Sequence, residues 1–139
     1  MIVVTGSTAL LFDPNSPIHI AIDTPMKQFY AEHVAFLNAR DSVSLVDQHY
    51  RDDAIVMSTE YIVAGRQELY RHFAKYSSLM GFLEVLTTDK WTESETTFAF
   101  EATARTQWGL SRVHDACVLR DGKIYRHFTG TIPMAPSNE

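Results

Sequence analysis

The feature that most restricts the fold of this chain is a change of period near residue 82. Ahead of it, apolar residues recur at helical spacing; beyond it, they alternate. In TFAFEATARTQW (97–108), Phe98, Phe100, Ala102, Ala104 and Trp108 fall on one side and Glu101, Thr103, Arg105 and Gln107 on the other. That is the two-residue period of a half-buried strand. Gly109 turns the chain, SRVHDACVL returns, Arg120-Asp121-Gly122 turns it again, and KIYRHFTGTI forms a last strand. Long strands joined by tight turns make an antiparallel meander.

The first half reads as three helices. Asp23 or Thr24 caps a helix with Pro25 in its first turn, and Met26, Phe29/Tyr30, His33/Val34 and Leu37 line one side. Asp41-Ser42 resets the chain into a second short helix, with Val43, Val46 and Tyr50 on one side. RDDAIVMS and YIVAG then predict two short strands. RQELYRHFAKYSSLM predicts a third helix carrying Leu69, Phe73, Tyr76 and Met80, closed by Gly81. Helices followed by a meander give an α+β layer arrangement, with the helices on one face of the sheet. The element lengths suggest a sheet that wraps around the helices and leaves a conical hollow.

At 139 residues, 45% apolar and 21% charged, the chain has the size and composition of one globular domain with a real core. Residues 1–24 read as an N-terminal arm or extension, 25–133 as the domain and 134–139 as a tail. The arm carries turn signals at Asp13-Pro14-Asn15 and Ser16-Pro17 and short β-branched runs at Ile2–Val4 and Ile18–Ile22. VVTGSTALL has one glycine where a dinucleotide-binding turn needs three, so that reading is set aside.

A net charge of −5 without a Lys/Arg cluster gives no electrostatic footprint for nucleic acid or an acidic membrane. No apolar run approaches the roughly 20 residues of a membrane span, and MIVVTGSTALLF lacks the basic start of a signal peptide. The single Cys117 offers neither a disulfide nor a zinc site, and the six histidines lack metal-ligand spacing. The expectation is a soluble cytoplasmic protein that binds a small molecule and needs no metal or cofactor.

Three stretches, in this order, carry a resemblance. NARDSVSLVDQHYRDDAIV, VAGRQELYRHF and DACVLRDGKIYRHF resemble passages of the nuclear transport factor 2-like (NTF2-like) superfamily, which includes ketosteroid isomerases and SnoaL-like polyketide cyclases. Together they lie within residues 25–133. The resemblance implies a cone-shaped curved antiparallel sheet wrapped around three N-terminal helices, the cystatin-like roll. It implies little about function, because this superfold hosts isomerases, dehydratases, cyclases, hydrolases and purely structural domains.

Asp115 is the outstanding candidate for chemistry, a carboxylate in mid-strand between short apolar neighbours. Its partner depends on the last turn. A two-residue turn at Asp121-Gly122 sets Asp115 opposite Phe128; a three-residue loop pairs Leu119 with Lys123 and sets Asp115 opposite His127. The second register puts Val113, Asp115, Cys117 and Leu119 on one face with Tyr125, His127, Thr129 and Thr131. It puts His114, Ala116, Val118, Ile124, Arg126 and Phe128 on the other. In ketosteroid isomerases an aspartate of this strand points into the pocket, and Asp115 is similar to it, which favours the three-residue loop. A carboxylate facing an imidazole then gives a general base near neutral pH.

The resemblance also shows what is missing. By spacing from Tyr50, Val34 stands at the isomerase's catalytic tyrosine, and Ser58 at its proton-shuttling aspartate. Steroid isomerisation by that mechanism is therefore not expected. Tyr30, Val34, Ser58, Val113, Cys117, Tyr125 and Thr129 remain as candidate substrate-binding residues around Asp115 and His127. Tyr50 is expected to join a buried hydrogen-bond network, and His72 to pair with Glu68 on the surface of the third helix.

Two functions compete. One is a cofactor-independent isomerase, dehydratase or cyclase that moves a proton on a small apolar carbonyl compound. The other is a non-catalytic ligand-binding or dimerisation domain of the same fold. In either case the outer face of the sheet, where Ala116, Val118, Ile124 and Phe128 lie among charged residues, is expected to pair two copies of the chain.

Overall fold

A computed structural model describes residues 19–79 and 84–134, without the side chains of 76–79. Most of the predicted arm therefore lies outside the described residues, as do Met80, Gly81 and the tail beyond Met134. Ile20 and Ile22 are described, and they form no strand but pack on the core.

Three helices precede most of the sheet. Helix α1 spans Pro25–Asn38, with Thr24 as its cap: the Thr24 side chain accepts a hydrogen bond from the Lys27 amide, and Pro25 sits where no amide hydrogen is needed. Met26, Tyr30, His33 and Val34 are its buried residues. Helix α2 spans Ser42–His49 and buries Leu45, Val46 and His49. Val43, expected on its inner side, is 58% exposed; the helix is rotated so that Leu45 and His49 take the core positions. Strand β1 (Tyr50–Met57) and the short β2 (Ile62–Ala64) follow, and then helix α3 (Arg66–Leu79). Gly65 joins the last two at φ +89°, a left-handed conformation for which glycine carries no side-chain penalty.

The meander is β3 (Glu84–Glu93), β4 (Thr97–Thr106), β5 (Gly109–Arg120) and β6 (Lys123–Pro133). The six strands form one curved, open sheet in the order β2-β1-β6-β5-β4-β3. All pairs are antiparallel except β1 with β6, which run parallel, so the sheet is mixed rather than wholly antiparallel. The parallel pair arises because the chain leaves the sheet after β2, passes through α3 and returns at its far edge. Pairing irregularities in β1–β6, β3–β4 and β5–β6 are where such a sheet bends most easily.

The core lies between the helices and the concave face. Tyr30, Leu45, Tyr50, Leu69, Phe98 and Ile124 are among its fully buried side chains. Phe98 and Ala102 face inward as the alternation predicts, whereas Trp108 is 71% exposed at the β4–β5 turn. The period alone continued the strand past Thr106, but the chain already turns there.

Both registers considered for the last hairpin are corrected. Asp121 (φ +56°) and Gly122 (φ +79°) form a two-residue turn, and Arg120 pairs with Lys123. Leu119 then pairs with Ile124 but Val118 with Arg126, so Tyr125 is an extra residue in β6. Beyond this bulge Cys117 pairs with His127, and Asp115 with Thr129. The bulge restores from His127 onward the faces of the three-residue-loop register and reverses them before it. Ile124, expected outside, is fully buried. Tyr125, expected inside, takes the guanidinium groups of Arg120 and Arg126 at 3.9 and 3.8 Å from its ring centre.

Candidate functional site

A cavity of about 60 Å³ lies between α1, α3 and the concave face, large enough for several water molecules. Its wall is mainly apolar, with Val34, Leu37, Val56, Val85, Phe100 and Val113 among the lining residues. Into this wall are set Tyr30, His33, Tyr61, His72, Asp115, His127 and Thr129.

The centre of the site is a three-residue chain. His127, 5% exposed, stands in β6 diagonally across from Asp115 in β5, and its Nε2 lies 2.5 Å from Asp115 Oδ2. On the other side of the ring, Nδ1 is 2.7 Å from the hydroxyl of Tyr50. A carboxylate only accepts, so Nε2 carries the hydrogen in the first contact. Tyr50 closes the second: it donates to Nδ1 of a neutral ring or accepts from a charged one. Burial pushes the Tyr50 phenol well above its ordinary value, and burial likewise pushes the Cys117 thiol up, so both stay protonated near neutral pH. Burial works against a charge on His127, but its neighbours prevail and move it well above 6.5. The neighbours that raise it are Cys117 and Tyr50, followed by the hydrogen bond to Asp115.

A second group of buried polar residues sits on the helices. His33 Nδ1 lies 3.3 Å from His49 Nδ1, and His49 Nε2 lies 3.3 Å from Glu32 Oε1. Burial, with His49 and His127 nearby, drives His33 well below 6.5; burial also lowers His49, against the pull of Glu32. The His49 ring stacks on Phe29 at 3.8 Å between centroids.

The expected site residues divide clearly. Asp115, His127, Tyr30, Val34, Val113 and Thr129 share the cavity wall, although the Tyr30 hydroxyl is engaged with Thr88 at 2.7 Å. Cys117 is buried directly opposite His127 in the ladder and does not line the cavity. Ser58 belongs to the β1–β2 turn, where its side chain accepts from the Glu60 amide. Tyr125 lies in its arginine stack on the outer side of the bulge. Tyr50 joins the buried network, as expected. His72 lines the cavity beside Tyr61, and Glu68 meets Arg71. His49 and Glu32 lie outside the set of residues expected at the site. The available signal was a histidine on the apolar side of each of two consecutive helices.

The fold places the chain in a known structural class. Neither a protein-family model nor a curated protein sequence matches it. Solved structures do. An NTF2-like protein from Anabaena variabilis superposes with a TM-score of 0.66 at 18% identity, over 78% of this chain and 87% of that one. A candidate polyketide cyclase from Sinorhizobium meliloti gives 0.66 at 12% identity, over 74% and 94%. IdmH, a candidate polyketide cyclase from Streptomyces antibioticus, gives 0.64 at 13% identity, over 78% and 92%. At these identities the likeness is one of fold: the chain has the NTF2-like fold, shared with SnoaL-like cyclases. Among the described residues no helix is long and apolar enough to cross a membrane.

Proposed function

We propose that this chain is a cofactor-independent acid/base enzyme acting on a small, apolar, carbonyl-containing substrate by isomerisation, dehydration or cyclisation. The observation that carries the reading is the Tyr50–His127–Asp115 chain set in the wall of an apolar cavity. A carboxylate there is held against a buried imidazole in a largely apolar wall, where a developing enolate is stabilised more strongly than in bulk solvent.

On this reading the residues take distinct roles. Both ring nitrogens of His127 are engaged, so the ring is a positioning residue that fixes Asp115 and balances its charge. Asp115 uses Oδ2 for the ring, which leaves Oδ1 to take a proton from the carbon next to a substrate carbonyl. Val34, Val113 and Thr129 shape the pocket around that atom. The titration of His127, held above its ordinary value by its buried neighbours, then sets the pH range of the reaction.

The test is proton exchange on a panel of enolisable ketones and aldehydes in heavy water. Deuterium should enter next to the carbonyl with the wild-type protein, and Asp115→Asn should lower the rate by about 10²- to 10⁴-fold. Equal rates for the two proteins remove Asp115 from the mechanism. The small cavity and the Val34 and Ser58 replacements favour a second reading, a non-catalytic binding domain. On that reading a carbonyl ligand binds, and no exchange above the solution rate is seen.

We also infer that the outer face of the sheet joins two copies of the chain. There Ala99, Ala116 and Gly130 form a low floor beside Phe128, which is 45% exposed. Lys90, Glu101 and His114 supply both signs of charge at its edge.

A further inference from the structure

His33, His49 and Glu32 form a buried polar chain that the role given to Asp115 leaves unused. It begins at the cavity, which His33 lines, and ends at a carboxylate whose side chain is 57% exposed. The hydrogen bookkeeping fixes its direction. Glu32 can only accept, so His49 Nε2 bears the hydrogen in that contact. A neutral ring has one N–H, which leaves a lone pair on His49 Nδ1. His33 must then donate its Nδ1–H across the 3.3 Å contact, and its own Nε2 is left as a bare base. Neutral imidazoles in water prefer the opposite tautomer, so this arrangement is imposed by the contacts.

The surroundings keep both rings neutral. Around His33 stand the Tyr50 ring at 6.0 Å and the His127 ring at 6.1 Å between centroids, from β1 and β6. His49 is flanked by Phe29 and Phe36 from α1 and feels the positive charge of Lys123 from β6. Apart from Glu32, no carboxylate hydrogen-bonds either ring among the described residues.

We propose that His33, His49 and Glu32 are a proton relay joining the cavity to solvent, with His33 Nε2 as a second base beside Asp115. The proposal rests on the reading of the cavity as a place of proton transfer. When a ligand gives a proton to His33 Nε2, the Nδ1–H of His33 passes to His49 Nδ1. The Nε2–H of His49 then passes to Glu32, which releases it to water. One proton leaves the cavity, no charge stays on either ring, and the reverse order of steps restores both tautomers. With Asp115 on the sheet and His33 on the helix, the ligands this cavity serves are those that lose a proton at one atom and gain one at another, as enolisable carbonyl compounds do.

The experiment uses the full chain labelled with ¹⁵N-histidine. Ring nitrogen spectra near pH 8 should show His33 as the Nδ1–H tautomer and His49 as the Nε2–H tautomer. In Glu32→Gln, whose change lies at the surface, the amide oxygen keeps the hydrogen bond but cannot take up a proton. Exchange of the His33 ring hydrogen with solvent should then slow by roughly tenfold or more. An Nε2–H tautomer at His33, or equal exchange rates in the two proteins, overturns the relay. Ring-hydrogen exchange at His33 is read without substrate, so it reports on the relay separately from turnover. An intact relay in a protein with no turnover would thus fail the enzymatic reading alone, and turnover with Glu32-independent exchange would fail the relay alone.

Discussion

His127 holds Tyr50 with one nitrogen and Asp115 with the other, so its protonation reports on the carboxylate directly. Burial alone would depress a histidine here, as it does His33 a ring's width away. His127 differs from His33 in its contacts with Cys117 and Tyr50 and in its hydrogen bond to Asp115. Nuclear magnetic resonance should therefore find His127 titrating above its ordinary value in the wild type and lower in Asp115→Asn, where burial remains and the bond to the carboxylate is gone. The consequence for stability has a definite sign. A histidine raised in the folded state contributes fully below about pH 6.5 and loses that contribution as pH rises through its folded value. Asp115→Asn should thus destabilise the protein more at about pH 6 than at about pH 9. Urea unfolding at the two pH values measures this, and an equal loss at both would mean that the pair carries no charge.

The hairpin of β5 and β6 decides which side chains reach the cavity, and only part of it was legible in the sequence. Arg120-Asp121-Gly122 advertises a turn but admits two of them. Alternation fixed the faces only up to parity, because one residue of slip exchanges every side chain of the strand. The extra residue at Tyr125 breaks no alternation that the sequence alone displays; its ring stacks with Arg120 and Arg126 of the same hairpin. Asp115 and His127 were thus brought to one face by a two-residue turn plus a bulge, where a three-residue loop was expected. For the same reason Tyr125 and Ile124 were assigned to the wrong sides. The turn itself offers a test. Gly122 stands at φ +79° with open space around the position of an added Cβ, so Gly122→Ala meets no clash and pays in backbone strain alone, about 1–2 kcal/mol. The urea midpoint should fall accordingly. An unchanged midpoint would show that the pairing along the strands, rather than the turn, sets the register.

At the scale of the molecule, the order of helices and strands was readable from periodicity, because each element buries one face and repeats at its own spacing. What the sequence left hidden lies between elements: the parallel β1–β6 pair, the closeness of His33 to His49, and the turn of α3 that brings His72 to the cavity. The outer face of the sheet belongs to this scale too. Phe128 is opposite Ala116 in the ladder, and beside them Ala99 and Gly130 leave a shallow depression rather than a charged surface. The Glu101 carboxylate is already near Lys90, Arg112 and His114 on its own sheet, so charge is balanced at the edge of the depression and a second copy can approach without repulsion. A two-fold arrangement would set the Phe128 ring of each copy over the small residues of the other, removing both from water. Light scattering at micromolar concentration should give twice the chain mass for the wild type. Phe128→Glu should give a single chain mass with an unchanged far-ultraviolet circular dichroism spectrum, since the ring is not part of the core. A monomeric wild type would remove the interface and leave the cavity, with Asp115 on one wall and His33 on the other, complete within one chain.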